Sequence, residues 1–227
     1  MKEDRLEEAK DARRGDGSPM KPRDDGDAAL FAAAHEGDLA KASDALAAGA
    51  NVNAVDPHNV TPLLEASCRE HLEMTRYLIG QGAEIDYTGM REGSPLMLAA
   101  YMGQLEFLRL FLEAGANANL AMPNGGETAL HMAAVTGKTA AARMLLDAGA
   151  DPNLHARSGV ATDMFNGNVK LWGETPLHYA AAYGDEEMIQ AMLLAGAERA
   201  APNSHGETPL EYAGRHHRPR SIRDLLK

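Results

Sequence analysis

Nine histidines and one cysteine are the first places to look for catalytic or metal chemistry in this 227-residue chain. Cys68 and His71 stand three residues apart, a spacing at which a thiol and an imidazole on one helical face could pair as nucleophile and base. His205, His216 and His217 could offer imidazoles to a metal, and His131 and His178 are further ligand candidates. None completes a constellation. Adjacent histidines on a helix point in different directions, and no cysteine or carboxylate cluster supplies the rest of a shell. A lone cysteine within a helix behaves as a small packing residue. Gly125-Gly126 signals a turn, because a phosphate-cradling loop needs more glycines, a following lysine and a preceding strand. An enzyme built on the histidines or Cys68 is therefore the minor alternative, and no catalytic residue, metal, cofactor or small-molecule substrate is expected.

The elements that position these residues come from a phrase. Gly173-Glu-Thr-Pro-Leu-His-Tyr-Ala-Ala-Ala-Tyr-Gly-Asp185 has weaker copies along the chain. Thr61-Pro62-Leu63, Ser94-Pro95-Leu96, Thr128-Ala129-Leu130, Thr175-Pro176-Leu177 and Thr208-Pro209-Leu210 begin 33, 34, 47 and 33 residues apart. A second marker, Gly-Ala at 49, 82, 115, 149 and 196, steps by 33, 33, 34 and 47. Each residue has a physical task. Thr175 falls at a helix N-cap, where its hydroxyl accepts from an orphan N–H, and Pro176 takes the first helical position, where its missing donor is harmless. Leu177, Ala180 and Ala181 follow at spacings of three and four, one stripe of a helix. Gly184 closes that helix, Met188, Met192 and Leu193 mark a second one, and Gly196 ends it cheaply in the left-handed conformation. One repeat is helix, turn, helix, loop.

A period near 33 with this phrase resembles the ankyrin-repeat proteins over residues 27 to 227. The resemblance implies an all-α ankyrin-repeat solenoid of stacked helix-turn-helix units with β-hairpin fingers, about six repeats including two caps. The repeats span approximately 27–55, 56–88, 89–122, 123–155, 172–204 and 205–227. The first lacks the phrase, as a cap facing water should, and the last stops short of a Gly-Ala marker and resembles the other cap. The second has Leu64 where the motif has His and Glu70 where it has Gly, so its inter-helix turn must form without glycine. Phe107, Leu110 and Phe111 should make the third the bulkiest core layer. His131 and His178 occupy one motif position, where the resemblance implies a structural imidazole bonded to the motif threonine.

Two stretches depart from the period. Residues 1–26 mix charges with Gly15, Gly17, Pro19, Pro22 and Gly26, and they read as a disordered charged arm. Between Asn153 and Thr175 lie 21 residues where other repeats have seven or eight, so 154–172 should be an enlarged finger. Its Met164, Phe165, Val169, Leu171 and Trp172 either plug the groove of the array or anchor a partner, two readings the sequence leaves open.

Composition narrows the partners. The net charge of −11 disfavours nucleic acid and anionic membranes, although Arg215, His216, His217, Arg218, Arg220, Arg223 and Lys227 make one end basic. No stretch approaches a membrane span, the N-terminal residues lack a signal-peptide core, and one cysteine asks for no oxidising compartment, so a cytoplasmic monomer is expected. The resemblance puts partners on the concave face, between the finger tips and the ends of the first helices. Carried onto this sequence, that surface comprises Arg69, Arg91, Tyr101, Met102, Val135, Thr136, Phe165, Trp172, Tyr183 and Arg215. Its apolar, aromatic centre and charged rim suit a protein. The function implied is a non-enzymatic protein-interaction scaffold; an inhibitory or structural subunit of an enzyme complex is the alternative.

Overall fold

The computed structural model describes residues 25–89, 93–162 and 169–227. The expected arm lies outside these up to residue 24. Contacts among the described residues gather into two compact units that divide between Pro95 and Leu96, within the stretch that the sequence reads as one repeat domain.

The first unit holds α1 (Asp25–Glu36), α2 (Leu39–Ala47), α3 (Pro62–Cys68) and α4 (Leu72–Gly80). Helix α1 starts two residues before the expected boundary at 27, with Asp25 and Asp27 in its first turn, where carboxylates favour the helix dipole. Asp38 caps α2 by accepting from the Lys41 N–H at 3.1 Å, and Thr61 caps α3 by accepting from the Leu64 N–H at 3.2 Å, with Pro62 inside the first turn. Helix α1 packs on α2 and α3, and α3 on α4, burying Leu30, Leu63, Leu64, Met74 and Leu78. The α3–α4 turn places Glu70 at φ 60, a left-handed conformation that glycine adopts at lower cost. Beyond that turn, His71 donates from Nε2 to the His35 carbonyl at 3.0 Å and so ties it to the end of α1.

Helix α5 (Pro95–Met102) begins at the boundary, and the second unit continues with α6 (Leu105–Glu113), α7 (Ala129–Val135) and α8 (Thr139–Asp147). After β1 (Ser158–Thr162) and β2 (Val169–Trp172) come α9 (Pro176–Tyr183), α10 (Glu186–Leu194), α11 (Pro209–Arg215) and α12 (Arg220–Leu225). First helices pack in one layer, α7 on α9 and α9 on α11; second helices pack in another, α6 on α8, α8 on α10 and α10 on α12. The alanines of the phrase, Ala133, Ala134, Ala180 and Ala181, are buried, which lets the first helices approach. Phe107 and Phe111 are buried together with ring centroids 6.4 Å apart. Strands β1 and β2 form an antiparallel hairpin within the insertion, with Ser158 opposite Trp172 and Thr162 opposite Val169.

In three loops an asparagine ties one repeat to the next. Asn119 donates from Nδ2 to the Gly149 carbonyl at 3.0 Å and accepts at Oδ1 from the Asp151 N–H at 2.7 Å. Asn153 does the same with the Gly196 carbonyl at 3.0 Å and the Glu198 N–H at 2.9 Å. In the first unit Asn53 meets the Gly82 carbonyl at 3.3 Å and the Glu84 N–H at 2.7 Å.

Leu130 has no exposed surface, so Leu130→Ala is expected to cost roughly 2–5 kcal/mol in chemical denaturation and to lower hydrogen-exchange protection locally around α7 to α9. Equal loss in every repeat would show that the nearest-neighbour picture is wrong. Glu70→Gly should raise stability by about 0.5–1 kcal/mol, since relief of the left-handed strain exceeds the added chain entropy. Lower stability of that variant would show that the Glu70 side chain contributes more than its backbone strain removes.

Candidate functional site

The motif histidines are fixed by their surroundings. At the start of α7 the Thr128 N–H donates to His131 Nδ1 at 3.1 Å, and His131 Nε2 donates to the Glu174 carbonyl of the next repeat at 3.2 Å. His178 repeats this with the Thr175 N–H at 3.1 Å and the Glu207 carbonyl at 3.0 Å. Each imidazole meets the next repeat's tyrosine edge-on, His131 with Tyr179 at 5.9 Å and His178 with Tyr212 at 5.6 Å. With Nδ1 accepting and Nε2 donating, both rings are neutral. Burial pushes the His131 pKa down to about 4, against the pull of the Glu174 carbonyl, and burial likewise lowers that of His178. In the last repeat Glu211 replaces the histidine and takes the Thr208 N–H at 2.7 Å, which keeps the cap but sends no bond onward from that side chain. His71, the suggested base for Cys68, directs Nε2 to the His35 carbonyl. Among the described residues no group of three or more His, Cys, Asp or Glu side chains could hold a metal ion.

On the second unit a continuous run of contacts joins finger tips to helix ends. The Trp172 ring lies 3.9 Å from that of His205, whose N–H donates to Asn203 Oδ1 at 3.0 Å. Asn203 Oδ1 also accepts from the Glu207 N–H at 3.0 Å. Arg215 at the end of α11 pairs with Glu207 at 3.0 Å, and its guanidinium carbon sits 4.4 Å from the centre of the Tyr212 ring. Tyr212 is 4.9 Å from His216, and His216 meets Tyr183 edge-on at 5.3 Å. Of this set Tyr183 is 45% exposed, His205 and Arg215 are exposed, and Trp172 and His216 are half-buried. Trp172 is therefore neither a sealed plug nor a free flag. Its backbone N–H donates to Glu174 Oε2 at 2.8 Å, and its carbonyl accepts from the Ser204 backbone N–H at 2.6 Å, which holds the end of β2 against the last finger.

Of the residues expected at the site, Trp172, Tyr183 and Arg215 belong to this run. Met102 at the end of α5 is 51% exposed, Tyr101 is half-buried, and Val135 and Thr136 are half-buried where α7 ends. Arg69 lies in the first unit, where it and His35 both pair with Glu65, at 3.1 and 2.7 Å. Those two partners hold the Glu65 carboxyl below its ordinary pKa despite the larger opposing effect of burial. Arg91 and Phe165 lie outside the described residues. Sequence reasoning missed Glu207 and Tyr212, although both sit at repeating places: Gly-Glu-Thr recurs at 126, 173 and 206, and Tyr179 and Tyr212 follow the same motif position. A groove of about 490 Å³ also lies between α8 and α10, lined by Arg143, Leu146, Glu187, Gln190 and the 90% exposed Leu194. None of the expected residues lines it.

Helix-turn-helix units held in register by loop asparagines, with threonine-capped first helices and hairpin fingers, define a helical-repeat protein. Models of ankyrin repeats match residues 58–89, 87–156 and 130–193, and the chain belongs to the ankyrin-repeat family. It is 38% identical over 188 residues to mouse palmitoyltransferase ZDHHC13, across 73% of this chain and 30% of that protein. It is 36% identical over 154 residues to human ankyrin repeat and SOCS box protein 16, across 67% of this chain and 30% of that protein. The chain thus spans under a third of the length of these relatives. Among solved structures, an ankyrin repeat domain from Acinetobacter baumannii AYE is similar with a TM-score of 0.73 and 27% identity, covering 87% of this chain and 95% of the other. A chain from a Bdellovibrio bacteriovorus predatory endopeptidase in complex with an immunity protein shares the fold, with a TM-score of 0.70, 23% identity and coverage of 87% and 96%.

The buried histidines set an acid limit on the second unit. His131 has a folded pKa of about 4, below its unfolded value near 6.5, so its contribution is present above pH 6.5 and is lost as pH falls toward 4. The expected loss is roughly 3 kcal/mol across that window in urea titrations at stepped pH. His131→Gln, which can keep the cap, should flatten the profile; an unchanged profile would overturn the assignment.

Proposed function

We propose that this chain is a non-enzymatic, cytoplasmic protein-interaction module that acts as a monomer and docks a partner protein on the finger-tip and helix-end surface of its second unit. Ankyrin repeats are protein-interaction modules, which supports the general class. The observation that carries the more specific reading is the contiguous run from Trp172 and His205 through Arg215 to Tyr183. It combines aromatic side chains, a guanidinium and partial exposure, the combination that supplies most binding energy at protein interfaces. Met102, Val135 and Thr136 extend this surface at the ends of α5 and α7, on the side that the family resemblance makes concave. An inhibitory subunit would dock in the same way, and the identity of the bound protein separates it from a scaffold.

Trp172 tests the surface. Trp172→Ala should weaken partner binding by about 2 kcal/mol or more while leaving the thermal midpoint almost unchanged. In the free protein a water-soluble quencher should reach the indole, the only tryptophan in the chain. Shielding of that fluorescence, together with a stability loss of roughly 3–5 kcal/mol in the variant, would make Trp172 a core residue and remove it from the binding surface.

A further inference from the structure

Charge divides this chain unevenly. Residues 199–227 carry six Lys and Arg against three Asp and Glu, in a protein of net charge −11. The cation best placed in the interaction surface is Arg215. Its guanidinium rests over the Tyr212 ring at 4.4 Å, and one of its nitrogens pairs with Glu207 at 3.0 Å. Stacking on an aromatic face fixes the plane of the fork, and a guanidinium has five N–H donors, so one pairing leaves donors for a second carboxylate. The side chain is 46% exposed, within reach of such a ligand. Burial first, and then the charges of Arg215 and Arg218 against the opposing pull of Glu207, hold the neighbouring His216 below its ordinary pKa. Apolar surface flanks the cation, with the Tyr183 ring reached through His216 and the Trp172–His205 pair reached through Glu207 and Asn203.

We infer that the partner segment seated on the last two repeats is a short acidic peptide with interspersed aromatic residues, one of whose carboxylates is taken by Arg215. The inference rests on the protein-binding reading above and names the chemistry of its ligand. A nucleic acid is the poorer fit. Its affinity comes from many phosphate contacts along a basic track, whereas the cations here occupy one end of an acidic chain. A short acidic segment meets the basic end alone, and its aromatic side chains can stack on the Trp172, His205 and Tyr183 rings.

The test is fluorescence anisotropy on the full chain, with a labelled Glu-Glu-Phe-Glu-Glu-Phe peptide as probe. Saturable binding that weakens as salt rises is expected. Arg215→Gln should lower affinity on the order of tenfold, with Arg215→Lys falling in between because it keeps the charge and loses the fork. Arg143→Gln, in the second-helix layer, should change nothing. Glu207→Gln gives an independent check if Arg215 variants unfold, since freeing the guanidinium should tighten binding severalfold. Absence of binding, equal affinity for a lysine-for-glutamate peptide, equal binding by folded Arg215→Gln, or weaker binding by Glu207→Gln would each overturn the inference. So would preference for an RNA oligonucleotide or for phosphatidylserine vesicles. If the acidic probe fails while Trp172→Ala still weakens an isolated natural partner, the protein-binding reading stands and only this ligand chemistry falls.

Discussion

A side-chain amide carries donors and an acceptor side by side, and the register of each unit depends on that pairing. In three loops an asparagine faces the carbonyl of the glycine that follows the next repeat's second helix and the N–H two residues beyond it, and in the corresponding place of the first loop Asp27 accepts from the Asn51 N–H at 2.7 Å. Aspartate would lose the donor and serine the reach. In the second unit the motif histidines add a parallel tie, closing the cap of one helix with Nδ1 and reaching the next finger with Nε2. Both ties give polar groups at loops and helix ends a partner in the neighbouring repeat. Apolar burial between alanine-rich helices supplies a driving force, but it is not directional. The polar ties set the angle and offset at which that burial occurs.

The same ties explain why histidines that resemble catalytic residues are not free for chemistry. Buried imidazoles with both nitrogens engaged have neither an open lone pair nor a mobile proton, and burial keeps them neutral. The surface proposed for binding is made of side chains at the ends of elements, where Trp172 and Tyr183 also meet His205 and His216 of the next repeat. Trp172, Tyr183 and Arg215 occupy such ends. Their contacts run along the fingers and helix tips, outside the alanine layer that builds the stack.

Helix starts were legible because their signals are local. Thr61-Pro62, Thr175-Pro176 and Thr208-Pro209 each stand at a cap with proline in the first turn. Glu70 could be located as a turn without glycine because the period marks its place, and the structure adds that it adopts a positive φ. What was hidden depends on side-chain direction. The pairing of Arg215 with Glu207 joins the end of α11 to the loop before its own start, a contact that no periodicity encodes. Helix α1 begins at Asp25, where an acidic first turn favours a helix although Gly26 follows. The hairpin strands were hard to delimit, since Ser158-Gly159 has little strand propensity and is held by pairing with the Trp172 end of β2.

The clamp at Asn153 has a consequence for how such a chain can grow. It joins the Gly196 carbonyl across 43 residues, whereas Asn119 reaches Gly149 across 30, and the bond lengths are the same, 3.0 Å. Insertion between Asn153 and Thr175 has left the neighbouring repeats in phase, because the tie anchors the point where the finger leaves the stack. The entropy of closing such a loop rises only by about 0.6 kcal/mol for each doubling of its length. This junction is therefore a permissive port in the array: extra length is accommodated here while the stack beneath it keeps its spacing.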